Sequence, residues 1–530
     1  MKRSLKLITV FSWLLALILF SSIVLAASMS KPVGRDEQMY TTAGVLINQG
    51  NTIYKDFSYP SQMPYHPLLY AAVFKVSGTT YYLLLARMVS VVSNIAVILC
   101  ILGIYKEVFK SFPASGNLFG LAAAALYVFN PFVDYSNGYA WNHDVVIACV
   151  MLSLWLFISI DFSKKSQYVR LAAIGALLTL ASCMRITTVL VELLFTAALL
   201  AAPAVSKTAR LKRLLPFSTA AAVVLVWPVW IIAQAPEAFY LNLVKIPALY
   251  AQWLERIGLV HDKLQLLSAG LTMPGFFVLI ILAIYLGIAS RVFSSSKITP
   301  ETVKPAMPWL LTAAFFVIAF IPPTMWRQYL AMPVPFLVTA MAYPLLSLRM
   351  KAQKGKLSTH FKAAGVITAL CVAVAVIYNM PVLYRIPLAF TPDKWVPVRV
   401  HEIAQDIGKR VPPPKRLLTL GPLYALEAGC GIYPQLSAGS IVYRVGDYMP
   451  PRQRKLTNTT GTESLNELLE KNQPSAVLLN VESKYFKLLE EPLKKAIKPG
   501  WIKKTYQNGL ILYYQNNNQQ LQPNIATRKH

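Results

Sequence analysis

Apolar runs long enough to cross a bilayer recur from the N-terminus to about residue 384. A helix rises about 1.5 Å per residue, so roughly 17–25 apolar residues span the hydrocarbon core. Eleven spans are predicted, at 7–27, 82–105, 116–133, 143–160, 170–184, 186–203, 213–234, 271–291, 307–322, 328–348 and 362–384. The fifth and sixth come from dividing one apolar stretch at Met184-Arg185. An arginine in mid-membrane is costly, so Arg185 marks a turn near an interface. Beyond about residue 395 the period changes. Helix patterns at 398–409, 463–471 and 483–497 alternate with strand patterns at 416–420, 476–481, 501–506 and 510–514, the last two flanking Asn508-Gly509. The fold class expected is therefore a mainly α polytopic membrane protein with a small C-terminal α/β domain. The domains expected are 1–390 for the membrane part, 391–515 for the α/β part and 516–530 for a polar, disordered tail.

Charge orients the spans. Every second loop is basic: Lys2/Arg3/Lys6, Lys106/Lys110, Lys164/Lys165/Arg170, Lys207/Arg210/Lys212/Arg213, Arg291/Lys297/Lys304 and Arg349/Lys351/Lys354/Lys356/Lys362. Such loops face the cytoplasm. Loops 28–81, 134–142, 235–270 and 323–327, and the chain after about 385, then face outward. This is the topology of a multi-pass protein of a bacterial inner membrane, with a cytoplasmic N-terminus and an extracytoplasmic C-terminal domain. Residues 1–27 also read as a signal peptide, but the apolar stretch is long for that and favours a retained first helix. Both readings put residue 30 outside.

Composition agrees with a membrane protein. Of 530 residues, 55% are hydrophobic and only 14% charged, where soluble domains carry about a quarter charged. Mean hydropathy is +0.48. The net charge of +28 is spread over short loops between apolar runs, which argues for lipid contact and against nucleic acid. The five cysteines, Cys100, Cys149, Cys183, Cys371 and Cys430, show neither metal-ligand spacing nor a disulfide framework.

Chemistry concentrates in the outer loops. Arg35-Asp36-Glu37 follows the first span directly, at the start of a polar helix pattern over 36–49. Neighbouring helical residues point about 100° apart, so Asp36 and Glu37 divide their roles. A carboxylate there serves as a general base on an acceptor hydroxyl, or as a helix-terminal charge favouring the dipole. Arg35, Lys55, Arg87, Lys245, Arg256 and Arg327 are outer cations suited to a phosphate. Arg327, which begins a span beside Trp326 and Tyr329, is the preferred one, and it also reads as an interface anchor. Asp134, His143 and Asp144 form a second polar cluster, in which Asp144 is either a second cavity carboxylate or a cap of the fourth span. A divalent metal on His143, Asp36 and Asp144 has no motif behind it, and no cofactor is expected. His261-Asp262 reads as a solvated loop pair. Glu427 and the glycines around it fit a sugar site or simple turns.

The order of these motifs resembles the GT-C membrane glycosyltransferases, in the branch of the protein O-mannosyltransferases and the lipid A aminoarabinose transferases. The similar elements are Asp36-Glu37, a helix ending at Gly50, Tyr54-Lys55-Asp56-Phe57, Tyr59-Pro60 and Pro67-Leu68-Leu69-Tyr70. Others are Asn130-Pro131 to Asp144, Met184-Arg185-Ile186-Thr187, and Arg327-Gln328-Tyr329-Leu330 with Pro333 and Pro335. The resemblance covers about residues 1–385. It implies transfer of a sugar from a polyprenyl-phosphate donor to a lipid, glycan or protein acceptor outside the membrane, with inversion and with Asp36 as base. Glu37 and Asp144 are the further carboxylates to weigh. Arg35, Lys55, His66, Arg185, Arg327 and Tyr329 are the residues expected to meet substrate. Many relatives place a lysine before a double proline in the first loop. Here Ser61-Gln62-Met63-Pro64 has none, which turns attention to His66 and Lys55 for the phosphate.

Rival functions remain open at this stage. A transporter or flippase of lipid-linked glycans needs no reactive outer carboxylate, but such proteins often carry inverted repeats, and no internal repeat is visible here. A glycan polymerase or ligase shares the enzyme chemistry. A scaffold with a glycan-binding outer domain needs none of it.

Overall fold

A computed structural model describes residues 2–162, 167–203, 206–260, 262–292, 303–322, 325–353, 355 and 358–515. The expected tail at 516–530, His261, and the basic-loop residues Lys164, Lys165, Lys297, Lys354 and Lys356 lie outside the described residues. The chain forms two compact units. Unit one holds residues 1–31, 87–229 and 259–392, and unit two holds 32–86, 230–258 and 393–530.

Unit one is helical and membrane-spanning in character. Among the described residues of the chain, 7 helices are long and apolar enough to cross a bilayer, from Trp13–Ser30 to Ser358–Tyr378. The pair Lys263–Leu271 and Pro274–Ser290 adds a broken span, bent by 86°. Three of the eleven expected spans form shorter apolar helices: Pro113–Val128, Tyr168–Ser182 and Ile186–Ala201. The break before the last of these falls at Met184-Arg185, where a 3-10 turn over Ile186–Thr188 precedes the α-helix Val189–Ala201.

These helices are predominantly apolar, as bilayer spans must be. Ser358–Tyr378 leaves Val366 (59%), Leu370 (60%) and Ile377 (59%) exposed on its outer face. Close approaches rely on glycine. A Cβ on Gly175 would lie 2.2 Å from the carbonyl oxygen of Phe217, so only glycine admits that backbone contact.

Unit two is discontinuous in sequence and built on a small mixed sheet. Its strands are β1 (Leu417–Leu418), β2 (Ala476–Leu479), β3 (Ile502–Thr505) and β4 (Ile511–Tyr514). Their order is β1-β2-β4-β3, with β1 and β2 parallel and the other pairs antiparallel. β2 is buried throughout. The helix Val396–Arg410 lays Val400, Ala404 and Ile407 against Leu417, Leu478 and Leu512. Its apolar positions recur at the spacing of one helical face. The region 483–497, expected as one helix, is a 3-10 stretch Lys484–Glu490 followed by a single α-turn Glu491–Lys494. Pro492 lies in that turn and has no N–H to continue a helical ladder.

The same unit includes the loop that follows the first span. Helices Arg35–Asn48 and Tyr65–Ser77 pack closely, because a Cβ on Gly44 would meet the Tyr70 Cβ at 2.6 Å. Gln38 accepts the Leu423 N–H at 3.3 Å. Asn242 fastens the second loop to the first. Its side-chain oxygen accepts from Ser58 Oγ at 2.6 Å and from the Tyr59 N–H at 2.9 Å. Asn242 sits in a single π-helical turn, Leu241–Lys245, the kind of bulge often found near functional sites.

Candidate active site

In unit two, the sequence Gly34-Arg35-Asp36-Glu37 opens a helix. Glu37 is fully buried, and its Oε2 accepts the Gly34 N–H at 2.8 Å. That closes the first turn as a capping box does. Asp36 takes no part in that cap. Its half-buried carboxylate has no hydrogen bond or ion pair of its own among the described residues. Burial pushes its pKa above the ordinary carboxylate range, and Glu37 pushes the same way. The positive fields of Arg35 and Arg444 pull it back. A desolvated carboxylate in this state is a stronger base than one in water.

Arg35 is exposed and lies over the Phe486 ring, 5.0 Å from its centroid. Arg444 lies over the same ring at 4.5 Å and over Trp253 at 5.0 Å. Nothing in the sequence singled out Arg444 or its buried partner Glu482, 3.0 Å away. Arg444 is one of many basic residues in a strongly basic chain, and only the fold brings it beside Trp253.

The remaining loop candidates separate. Lys55 is exposed, and its carbonyl accepts from Asn458 at 2.9 Å. Asp56 accepts the Thr52 N–H at 2.7 Å and so shapes the Tyr54–Phe57 turn. His66 is fully buried in an aromatic cage, with Tyr40 at 5.0 Å and Tyr70 at 4.3 Å between ring centroids. Burial drives its pKa down to about 3. That direction favours its neutral form. Glu427 is buried too. It accepts the Leu83 N–H at 2.8 Å and pairs with His401 at 3.1 Å, so its carboxylate is committed to structure.

Unit one gathers a second polar group. Arg185 donates to His143 Nε2 at 2.6 Å and to Thr187 Oγ1 at 3.2 Å. Its guanidinium lies 5.0 Å from the Tyr329 ring centroid, and the His143 and Tyr329 rings stack at 6.1 Å. A guanidinium only donates, so Nε2 of His143 is the acceptor. Asp144 is buried and accepts the Gly138 N–H at 2.8 Å, bracing the turn ahead of its helix. Arg327 is exposed at the start of the 3-10 turn Arg327–Leu330.

Two cations of unit one have structural tasks. Arg87, an outer-cation candidate from sequence, is fully buried and donates to the carbonyls of Ser28 and Lys31, each at 2.8 Å. Lys31 was not foreseen. It is buried and donates to the carbonyls of Tyr135 and Asn137. Its pKa falls to about 8 because burial outweighs the pull of Asp134 and Asp144. Asp134 itself pairs with Arg385 at 2.9 Å. No group of three or more His, Cys, Asp or Glu side chains is placed to hold a metal ion among the described residues.

No protein-family model matches the chain, and no curated protein matches it in sequence. Solved structures do match. The crystal structure of ArnT from Cupriavidus metallidurans bound to undecaprenyl phosphate covers 95% of this chain and 98% of its own, with a TM-score of 0.61 at 14% identity. The apo state of that protein covers the same shares, 95% and 98%, with a TM-score of 0.59 at 13% identity. The oligosaccharyltransferase of Archaeoglobus fulgidus covers 95% of this chain and 74% of its own, at 12% identity and a TM-score of 0.48. At such identities the ArnT likeness is one of fold.

Proposed function

We propose that this protein is a membrane glycosyltransferase that moves a sugar from a polyprenyl-phosphate donor to an acceptor nucleophile on the outer side of a bacterial inner membrane. The observation that carries this reading is the fold shared, end to end, with a protein crystallised with undecaprenyl phosphate. The Asp36 carboxylate supports it, being desolvated and left without a bonding partner where the resemblance calls for a base.

The chemistry follows from those groups. An Asp36 oxygen takes the proton of the acceptor hydroxyl as that oxygen bonds to the anomeric carbon. The bond from that carbon to the phosphate oxygen breaks, and its electron pair leaves with the polyprenyl phosphate. One displacement of this kind inverts the anomeric centre. Charge grows on the departing phosphate, and a fixed guanidinium lowers the barrier to it. The resemblance puts two cations of unit one in that role; the first is Arg185, whose orientation is fixed by His143, Thr187 and Tyr329. Arg327 is the second.

The test is transfer of radiolabelled sugar from a panel of polyprenyl-phosphate donors in membranes holding wild type or Asp36→Asn. Donor-dependent transfer that Asp36→Asn abolishes, at equal protein level, supports both enzyme and base. Transfer that survives moves the base to another carboxylate. No transfer from any donor sinks the reading.

A further inference from the structure

We infer that a cavity at the basic-loop end of unit one binds the headgroup of a zwitterionic aminophospholipid, a phosphodiester carrying a primary ammonium. The site concerns unit one alone, and it stands or falls apart from the transfer reaction.

The cavity measures about 620 Å³ and is walled by Glu107, Lys110, Trp155, Leu156, Asp161 and Arg170. That volume falls within the usual range of small-molecule sites, roughly 300–1,000 Å³. Three helices meet around it. Tyr82–Val108 brings Glu107, Asn142–Ser159 brings Trp155 and Leu156, and Tyr168–Ser182 brings Arg170. Gly103 lets the first two close up, since a Cβ there would lie 2.5 Å from Trp155 Cε2. Lys110 and Arg170 belong to two of the basic loops that join apolar spans. The cavity therefore lies at the level of the bilayer surface, where tryptophan also concentrates.

Its charges come in both signs. Glu107 and Lys110 form an ion pair in which the glutamate side chain is 23% exposed and the lysine 69%. Arg170 Nη1 donates to the Ser159 carbonyl and to Gln167 Oε1, each at 3.0 Å. Those two bonds orient the guanidinium and leave its Nε–Nη2 edge without an acceptor among the described residues. Such an edge matches two oxygens of a phosphate. The carboxylates of Glu107 and Asp161 stand on the same wall, and each can accept from more than one donor. A cavity for a purely anionic headgroup would set cations alone there. A headgroup with both charges uses the guanidinium for phosphate and the carboxylates for ammonium. A choline headgroup has no N–H to give a carboxylate, so the primary amine is the better match.

The apolar part of the wall favours a lipid over a soluble zwitterion. Trp155 and Leu156 flank the charges. Beside Arg170, Tyr168 and Val169 are 55% and 82% exposed. Exposed apolar groups rimmed by charge mark a membrane contact, and here they suit the glycerol and acyl portion of the same molecule.

The test is lipid binding to full-length protein in detergent micelles, read by native mass spectrometry. Phosphatidylethanolamine, phosphatidylcholine and phosphatidylglycerol of equal chain length are titrated singly and in pairs. Wild type is expected to hold one phosphatidylethanolamine roughly tenfold more tightly than either other lipid. Glu107→Gln is expected to erase the preference over phosphatidylglycerol, because an acceptor for the ammonium is gone. Arg170→Gln is expected to weaken all three by roughly tenfold, because the phosphate contact is shared. Equal affinities in wild type overturn the inference. So does phosphatidylglycerol binding tightest, which marks a basic surface only, or an unchanged preference in Glu107→Gln. Full displacement by water-soluble glycerophosphoethanolamine at the concentration of the lipid overturns the lipid assignment. If Arg170→Gln aggregates on size exclusion, Glu107→Gln and Asp161→Asn, which alter only the ammonium side, still decide.

Discussion

Replacing Glu427 tests whether its carboxylate is structural. Glu427 is 1% exposed, accepts the Leu83 N–H and pairs with His401. Glu427→Ala strands a buried N–H, at about 1–3 kcal/mol, and removes the hydrogen-bond partner of the His401 ring nitrogen, at a further penalty of about 1–3 kcal/mol. The two overlap, so about 3 kcal/mol is expected, or roughly 150-fold in an opening equilibrium. Glu427→Gln keeps an oxygen for Leu83 and loses about 1 kcal/mol, the difference between a charge-assisted and a neutral bond. The assay is amide hydrogen exchange by mass spectrometry on the full chain in micelles, read over Val396–Arg410, Pro422–Glu427 and β2, since one global unfolding free energy is not defined for a two-unit protein. Acceleration of less than roughly tenfold in Glu427→Ala, or equal effects of the two variants, refutes the reasoning. The pH dependence is a second check. Burial raises the Glu427 pKa, so the folded chain holds that proton more tightly than the unfolded one. The contribution to stability is present at low pH and fades as pH rises past the ordinary glutamate value toward the folded one. Glu427→Gln flattens that slope.

Three further outcomes follow from the geometry. Asn242→Ala leaves Ser58 Oγ and the Tyr59 N–H without their acceptor. It should cost about 2–4 kcal/mol locally, seen as faster exchange across residues 52–64. Transfer should be lost as pH falls through the Asp36 pKa, and that acid limb should lie above the ordinary aspartate range because burial raises the group. A pH–rate profile with its midpoint at or below the usual value contradicts the base assignment. Arg185→Lys keeps a charge but loses the fork that reaches both His143 and Thr187. Transfer should drop by roughly 10–100-fold, with the drop in kcat rather than KM, and steady-state kinetics separate the two.

The membrane helices were legible because hydrophobicity repeats locally, and the Met184-Arg185 break because one charge interrupts it. The division between Asp36 and Glu37 was legible from helix geometry alone. The partners of these residues were not. Arg444 meets Tyr250 across 194 residues of chain, and Asn242 meets Ser58 across 184. No local pattern records such pairings. The burial of His66 among rings was not legible either, because a histidine in a polar-looking loop suggests an exposed group. Tyr70, one helical turn on, was the local signal that it packs among rings.

The discontinuity of unit two sets a schedule for biosynthesis. Gln38 waits for Leu423, 385 residues later, and Leu83 waits for Glu427, 344 residues later. At translation rates of about 5–20 residues per second, the first of these intervals lasts roughly 20–80 s. During it the early segments hold aromatic and polar faces with nothing to cover them. Long-range closure of this kind is slow and exposed to misassembly. A chain cut short before residue 393 would lack the whole sheet, so its early segments would stay uncovered and mark the product for degradation.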